Sequence, residues 1–528
     1  DRLEHAARLE SLGTLAGVSF PAGDNYTAWT ELWVPTLNFN GTTFSATRVS
    51  TPVPALWPLL FPETMAVRRF EYESLTNKRW LSYPLTRVHD HLRRLYTTIA
   101  KQAAETYPGV KSPTVSSVPE LGELIGALAH VPRAVRDMES ASGGDATDVQ
   151  IANALGLPDP NGVGQAAERA RAAVDYARAY RFYRRRPLDT PPQKLPAPPE
   201  LPEVEFHKTL ALLADYPEVM RRLGLVLDLR LELRAASLPA ASGRVRVDFL
   251  DASGGPIAGN SPWTSYVLDA PASRFLPAPE SGSDLENGML RLDDPERFRA
   301  VQIGVDGGAL KTIQFAGNMQ RMIDLNQLKT DEQPVASLRS AGIALARVER
   351  TTPLKARLSG QDTLHTAIAA ASQAALDARP IRADDVLRGY RIDVLTNDTF
   401  HSLCQRIGDY TIGEGAGSAN FAHKDEGYVK AVSATAESDQ PDSAYLHEIV
   451  AQWDGFSLVA PRPGRTLSFD KDAQDPRFQT LAVREEPNEP HPDLAFQAQV
   501  RVAPKTLPRL RFGRPYRLRV RAVDLAGN

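Results

Sequence analysis

Tyr516-Arg517-Leu518-Arg519-Val520-Arg521-Ala522-Val523-Asp524-Leu525-Ala526-Gly527-Asn528 is the stretch on which the fold reading turns. From Leu518 to Ala522 apolar and basic residues alternate, the period of a strand with one face on a core. That places Leu518, Val520 and Ala522 inward and Arg517, Arg519 and Arg521 in water, where a row of cations discourages edge-to-edge pairing. The same row is a candidate docking face for an acidic partner. Just upstream stand Leu510 and the turn-forming Phe512-Gly513.

This closing segment resembles the strand before the final hairpin of fibronectin type III and related immunoglobulin-like domains. The likeness lies in a Leu, a Gly-containing turn, Tyr-x-Leu-x-Val-x-Ala, and a final Asp and Gly-Asn. It implies that Tyr516 tucks its ring into the core and bonds backbone just upstream through its hydroxyl. It also implies a loop and one further strand beyond Asn528, leaving the sandwich incomplete, and it carries no activity with it. More loosely, Trp453-Asp454-Gly455-Phe456-Ser457-Leu458 followed by Pro461-Arg462-Pro463-Gly464 resembles segments of large uncharacterised bacterial proteins.

Working outward, the same period recurs. Tyr390, Ile392 and Val394 alternate with Arg391 and Asp393, Thr396-Asn397-Asp398 reads as a turn, and a returning strand spans Phe400 to Ile407. Phe496, Ala498, Val500 and Val502 mark another strand. Further upstream, Leu225 to Leu233 and Val245, Val247 and Phe249 alternate with polar residues, and Ile303, Val305, Ile343, Leu345 and Val348 continue the strand signal. A helical insert is expected near Leu310 to Leu328, and a short helix over Phe206 to Leu223.

The N-terminal part differs. An extended run opens at Trp33-Val34-Pro35, and Trp57-Pro58-Leu59-Leu60-Phe61-Pro62 reads as an apolar plug for a core. Val88, Leu92, Leu95, Ile99 and Ala103 follow helical spacing. Two more helices are expected, from Ser117 to Met138 behind a Ser117-x-x-Glu120 capping box and from Val163 to Arg185. Seven prolines between Pro187 and Pro202 favour an extended spacer over ladder or helix.

These readings combine into an α+β multidomain chain: a mixed helical/β region over 1–186, a proline-rich linker over 187–203, an antiparallel β-sandwich with helical insertions over 204–380, and an immunoglobulin-like, incomplete β-sandwich over 381–528. With 528 residues the chain is too long for one core. The 42% hydrophobic and 24% charged composition is that of a globular protein. A net charge of −3 lacks the basic excess that nucleic acids or anionic membranes select. Tyr180-x-Phe182-Tyr183 before Arg184-Arg185-Arg186 is read as a helix end with cations complementing its dipole, not as a nucleic-acid site. No apolar run approaches 18 residues, so no membrane insertion is expected.

Residues that carry chemistry gather between His401 and Asp454. His401, Cys404, His423 and His447 are the catalytic candidates, and His401, His423 and His447 the metal candidates. No pair has helical i, i+4 spacing, so a metal would need ligands converging from separate strands. His447-Glu448-Ile449-Val450-Ala451 begins like a zinc-protease helix but has Ala451 where the second His belongs. Cys404, the one cysteine, excludes an intrachain disulfide. It reads as a small core residue or, with a nearby imidazole, as a nucleophile. Gly413-x-Gly415-x-Gly417 matches no phosphate loop and reads as a hairpin turn, and no cofactor is expected.

Three function classes follow. The first is a structural or interaction component of a larger bacterial multidomain protein or assembly, a phage-tail-like particle being one version, with protein partners or self-assembly. It favours the cytoplasm or an assembled particle, with secretion open. The second is a hydrolase working around His401–His447 or outside this sequence. The third is an extracellular glycan or surface binder, whose sign is an exposed aromatic groove that includes Trp453.

Overall fold

The computed structural model describes residues 34–61, 65, 71–82, 147–183, 205–232, 242–250, 254–255, 261–269, 273–301, 342–370, 372–432, 434–437, 440–461, 466–469, 481–484, 494–510 and 514–528. The helices expected near residues 88–103 and 117–138, the linker 187–203, Ile303, Val305, the insert near 310–328 and Arg184–Arg186 lie outside them. The described chain mixes helices with sheets that are almost wholly antiparallel.

The closing strand, Arg517–Val523, lies in the interior of its sheet. Along its length it pairs antiparallel with Gly389–Thr396, Leu518 opposite Val394 and Arg521 opposite Arg391. Its other edge meets Met289 opposite Arg521, and the Ala522 N–H donates to the Gly288 carbonyl at 2.8 Å. The open edge expected for this strand is therefore already occupied at that end by the chain itself. Arginine placement differs too: Arg517 is exposed, but Arg519 and Arg521 are half-buried against carboxylates.

Apolar side chains of this sheet share one core with a three-stranded sheet made of Phe298–Val301, Ile343–Arg347 and Ile449–Trp453. Ile392, Val394 and Val520 meet Phe298, Ile343, Leu345 and Trp453 there. Each such side chain removed from water contributes roughly 1.5–3 kcal/mol. The Gly389–Thr396 strand is buried on both faces, so Arg391 and Asp393, which the alternation places in water, are buried as well.

A second core lies under the sheet Ala419–Glu426, Gln405–Ile412, Phe496–Val502. Tyr410, Ile412 and Phe496 pack on Leu213 and Val219 of two short helices, Phe206–Leu213 and Pro217–Arg222, on Leu223 just after the second, and on Trp57, Leu60 and Phe61. The Trp57-to-Phe61 segment thus plugs a core, as its apolar run predicts. One helix expected over Phe206 to Leu223 is two, because Pro217 cannot continue the first one's hydrogen bonding and instead starts the second.

Of the strand expected over Leu225 to Leu233, whose last residue lies outside the described ones, Leu229–Arg230 is found, paired with the two-residue Thr47–Arg48. The strand expected from Phe400 to Ile407 is broken: Thr399–Ser402 ends, Leu403 and Cys404 turn, and Gln405–Ile412 joins another sheet.

A five-stranded sheet runs in the order Thr42–Ser45, Val34–Phe39, Ser242–Leu250, Thr264–Asp269, Arg274–Pro277 over Leu37, Phe39 and Tyr266. The helix Gln165–Tyr183 lies within the Ala-rich span from Val163 to Arg185 where a helix is expected. A shorter one, Asp148–Ala154, precedes it behind a capping box in which Thr147 and Gln150 exchange hydrogen bonds. The long helix Thr351–Ala369 sets Leu354 and Leu358 against Leu446, Leu75 and Trp80.

Strand pairing ignores the linear order of the chain. Val34–Phe39 pairs with Ser242–Leu250, Arg79–Ser82 runs parallel with Gln440–Leu446, and Ile343–Arg347 pairs with Ile449–Trp453. Sheets therefore draw strands from both sides of residue 380.

Candidate functional site

Cys404 sits in the turn between two strands with no exposed surface. Burial pushes its thiol up to about 11, against the weaker effect of the Ile392 backbone. At neutral pH the sulfur is a protonated thiol in a core. Its backbone N–H donates to Ser402 Oγ at 3.1 Å, which closes the turn.

The three histidines occupy different places. His401 stands opposite Val394 on the edge strand Thr399–Ser402. His423 stands opposite Gly408 on another sheet, with Nε2 3.5 Å from a Glu218 carboxylate oxygen. His447 lies between two strands, and its carbonyl accepts from Arg350 Nη1 at 2.6 Å. Among the described residues no group of three His, Cys, Asp or Glu side chains converges as metal ligands would. His401 does line a hollow of about 760 Å³, together with Asp398, Arg509, Arg514, Tyr516 and Arg517. Its lining includes the hairpin turn Asn397-Asp398, where both residues take positive φ (50° and 59°), the two-residue turn that suits strand twist. Tyr516 spans this region. Its hydroxyl donates to the Arg509 carbonyl at 3.3 Å and its ring meets Trp453 edge-on at 5.5 Å.

Strand register, not sequence proximity, assembles the densest charge cluster. Asp393 faces Arg519 across the ladder and sits one diagonal step from Arg521. Arg521 Nε and Nη2 donate to the two Asp393 oxygens at 2.9 and 2.8 Å, and Arg519 approaches at 2.6 Å. Arg521 Nη1 and Nη2 also reach Glu426 at 3.0 and 2.8 Å. Burial acts to raise the Glu426 pKa, but hydrogen bonds from Arg521 and Ser402 and the nearby Arg391 outweigh it and hold the carboxyl down at about 2. Burial likewise lowers the Arg521 pKa, and the two carboxylates more than reverse that. Arg391 donates to the carbonyls of Glu426, Gly427 and Gly527 at 2.8, 3.2 and 2.7 Å. Arg519 lays its other face on Phe400, 4.3 Å from the ring centre.

A second polar constellation joins residues 72–76 to the long helix. Asp362 accepts from Tyr72 Oη at 2.6 Å, Ser74 Oγ at 2.6 Å and Thr76 Oγ1 at 3.0 Å. The Tyr72 ring stacks on His365 at 3.9 Å. The bond to Asp362 pushes the Tyr72 hydroxyl up to about 12, and the three hydroxyls hold the Asp362 carboxyl below its ordinary range. Ser74 donates to the carboxylate and not to the imidazole, so this is not the relay of a serine nucleophile. Hydroxyls at every second residue (72, 74, 76) and the Asp362-x-x-His365 spacing of a helix face are the signals that mark these residues in the sequence.

Trp453 is 2% exposed and lies in the core shared by the two sheets. It cannot form the wall of an open sugar-binding groove, which removes the residue named for the glycan-binding class. No family model, curated protein or solved structure matches the chain.

Proposed function

We propose that this protein is a structural or interaction component of a larger bacterial assembly, of which a phage-tail-like particle is the concrete version, and that its last segments form an immunoglobulin-like module. The observation that carries the reading is the tie of Arg521 to both Asp393 and Glu426. The buried Asp393 and the half-buried Arg521 and Glu426 are satisfied by one another, so they fix the mutual position of three strands. Strand pairs between segments far apart in sequence support the same reading, because such pairs hold a long chain together against stress. The Tyr516–Arg509 bond supports the immunoglobulin-like detail.

Sedimentation velocity of the purified chain over a wide concentration range tests this role. A defined oligomer or a reversible rise in mass is expected. A monomer at every concentration that also fails to associate with chains from its source argues against it.

A hydrolase is the second reading, favoured by His401 lining the hollow beside Tyr516 and Asp398. It requires His401→Ala to abolish an activity that the folded wild-type chain shows on an ester, amide or glycoside panel. No turnover by the folded wild type removes it for this chain.

A further inference from the structure

Between the Thr351–Ala369 helix, the Val429–Lys430 strand and Asp215 lies a crevice of about 350 Å³. Its two ends differ in chemistry. One is apolar, walled by Leu75, Trp80, Leu354, Leu358 and Val432. The other carries Arg357, Arg388 and Lys430, with Tyr428 beside them and Asp215 as the one carboxylate among the described lining residues. That carboxylate is already shared: Arg388 Nη2 reaches it at 2.9 Å and Lys430 Nζ at 3.0 Å. Arg388 Nε also donates to the Tyr428 hydroxyl.

Arg357 is the unbalanced member. Among the described residues its one hydrogen bond runs from Nη2 to the Leu387 carbonyl, and its Nε is buried without a partner. No described carboxylate lies within ion-pair distance of it, and Asp384 and Asp385 act on it only from farther away. Burial lowers its pKa, which is the mark of a desolvated cation. A partly buried guanidinium whose Nε is cut off from water and from any described partner is unfavourable, and the crevice is the place where an anion can enter to offset that cost. Volume and lining set the rest. A space of this size takes about one ring and a short arm. Asp215 already takes up Arg388 and Lys430, which leaves Arg357 as the lining guanidinium without a paired carboxylate among the described residues, and its planar fork matches a carboxylate.

We infer that this crevice binds a small monocarboxylate on a flat apolar body. Lys430 and Arg357 draw the carboxylate inward, and Trp80, Leu75 and Leu358 flank the body. A guanidinium offers planar donors that match a carboxylate, and the apolar end repays removal of a ring from water.

The test uses the full chain with phenylacetate as probe and 2-phenylethanol as its neutral counterpart, followed by calorimetry and saturation-transfer NMR. Saturable binding of phenylacetate is expected, with 2-phenylethanol at least about tenfold weaker, the loss of one charge-assisted contact. Lys430→Ala, whose side chain is 68% exposed and whose removal leaves the core intact, is expected to weaken phenylacetate about tenfold. Arg357→Met is expected to abolish binding while keeping a cooperative melt. Equal binding of the two probes, undiminished affinity in Lys430→Ala, or no saturable binding to the folded wild type overturns the assignment.

Discussion

Arg521 grips Asp393 with two nitrogens, Nε at 2.9 Å and Nη2 at 2.8 Å, across adjacent strands and 128 residues of sequence. The Asp393 side chain is 1% exposed, and Arg519 and Arg521 both form ion pairs with it. Asp393→Ala leaves two guanidinium groups facing a cavity and is expected to destabilise by about 3–5 kcal/mol. Arg519 is 39% exposed, and Arg519→Ala is expected to cost about 1 kcal/mol or less. Urea unfolding followed by far-UV circular dichroism distinguishes the two. Equal effects would show that Asp393 is not the hub.

Acid stability depends on Glu426. Its folded pKa of about 2 lies below the ordinary value of 4.5 that it takes in the unfolded chain. A depressed carboxyl contributes stability that is complete above the unfolded value and lost as pH falls toward the folded one. Unfolding midpoints are therefore expected to drop between about pH 4.5 and about pH 2. Glu426→Gln should be less stable at pH 7 and flatter across that window. An identical acid slope in wild type and Glu426→Gln would contradict the pairing.

Cys404 gives a chemical readout of the same core. With its thiol pushed up to about 11 and no exposed surface, it is expected to resist Ellman's reagent in the native chain at pH 8. Reaction should become rapid in guanidinium chloride. Fast labelling of native protein would show that the turn at Leu403-Cys404 opens, and would restore the sulfur as a nucleophile.

Gly342 is buried where two strands meet, and a Cβ there would run into the backbone carbonyl of Trp453. Gly342→Ala forces the Ile343–Arg347 and Ile449–Trp453 strands apart and is expected to cost about 1–3 kcal/mol. Comparison of melting temperatures checks this. An unchanged melt would mean that the strand ends are looser than their pairing indicates.

The strands were legible from the sequence where alternation is strict, as in Tyr390 to Val394, Val245 to Phe249 and Leu518 to Ala522. Their surroundings were not. Alternation says that a strand has two faces, but not that the second is wet. For Gly389–Thr396 both faces are buried, because Arg521 and Glu426 arrive from 128 and 33 residues away along the chain to neutralise the polar side. Leu225 to Glu232 shows the reverse case: an alternating run stays mostly outside a ladder when its partner is two residues long. The Thr351–Ala369 helix left a weak periodic signal, because its buried positions are few (Leu354, Leu358, Ala367). Pro353 in its first turn was the available start signal. The charge cluster and the anion crevice depend on register and on helix placement, which a single sequence does not encode locally.

The structural role is tested most directly by density-gradient fractionation of a lysate from the source cells, with this chain followed by targeted mass spectrometry. A component of an assembly sediments far ahead of any single chain, in company with a fixed set of other chains at constant ratio. Recovery of the chain only in the fractions of free single-chain proteins, with no constant companions, would contradict that role.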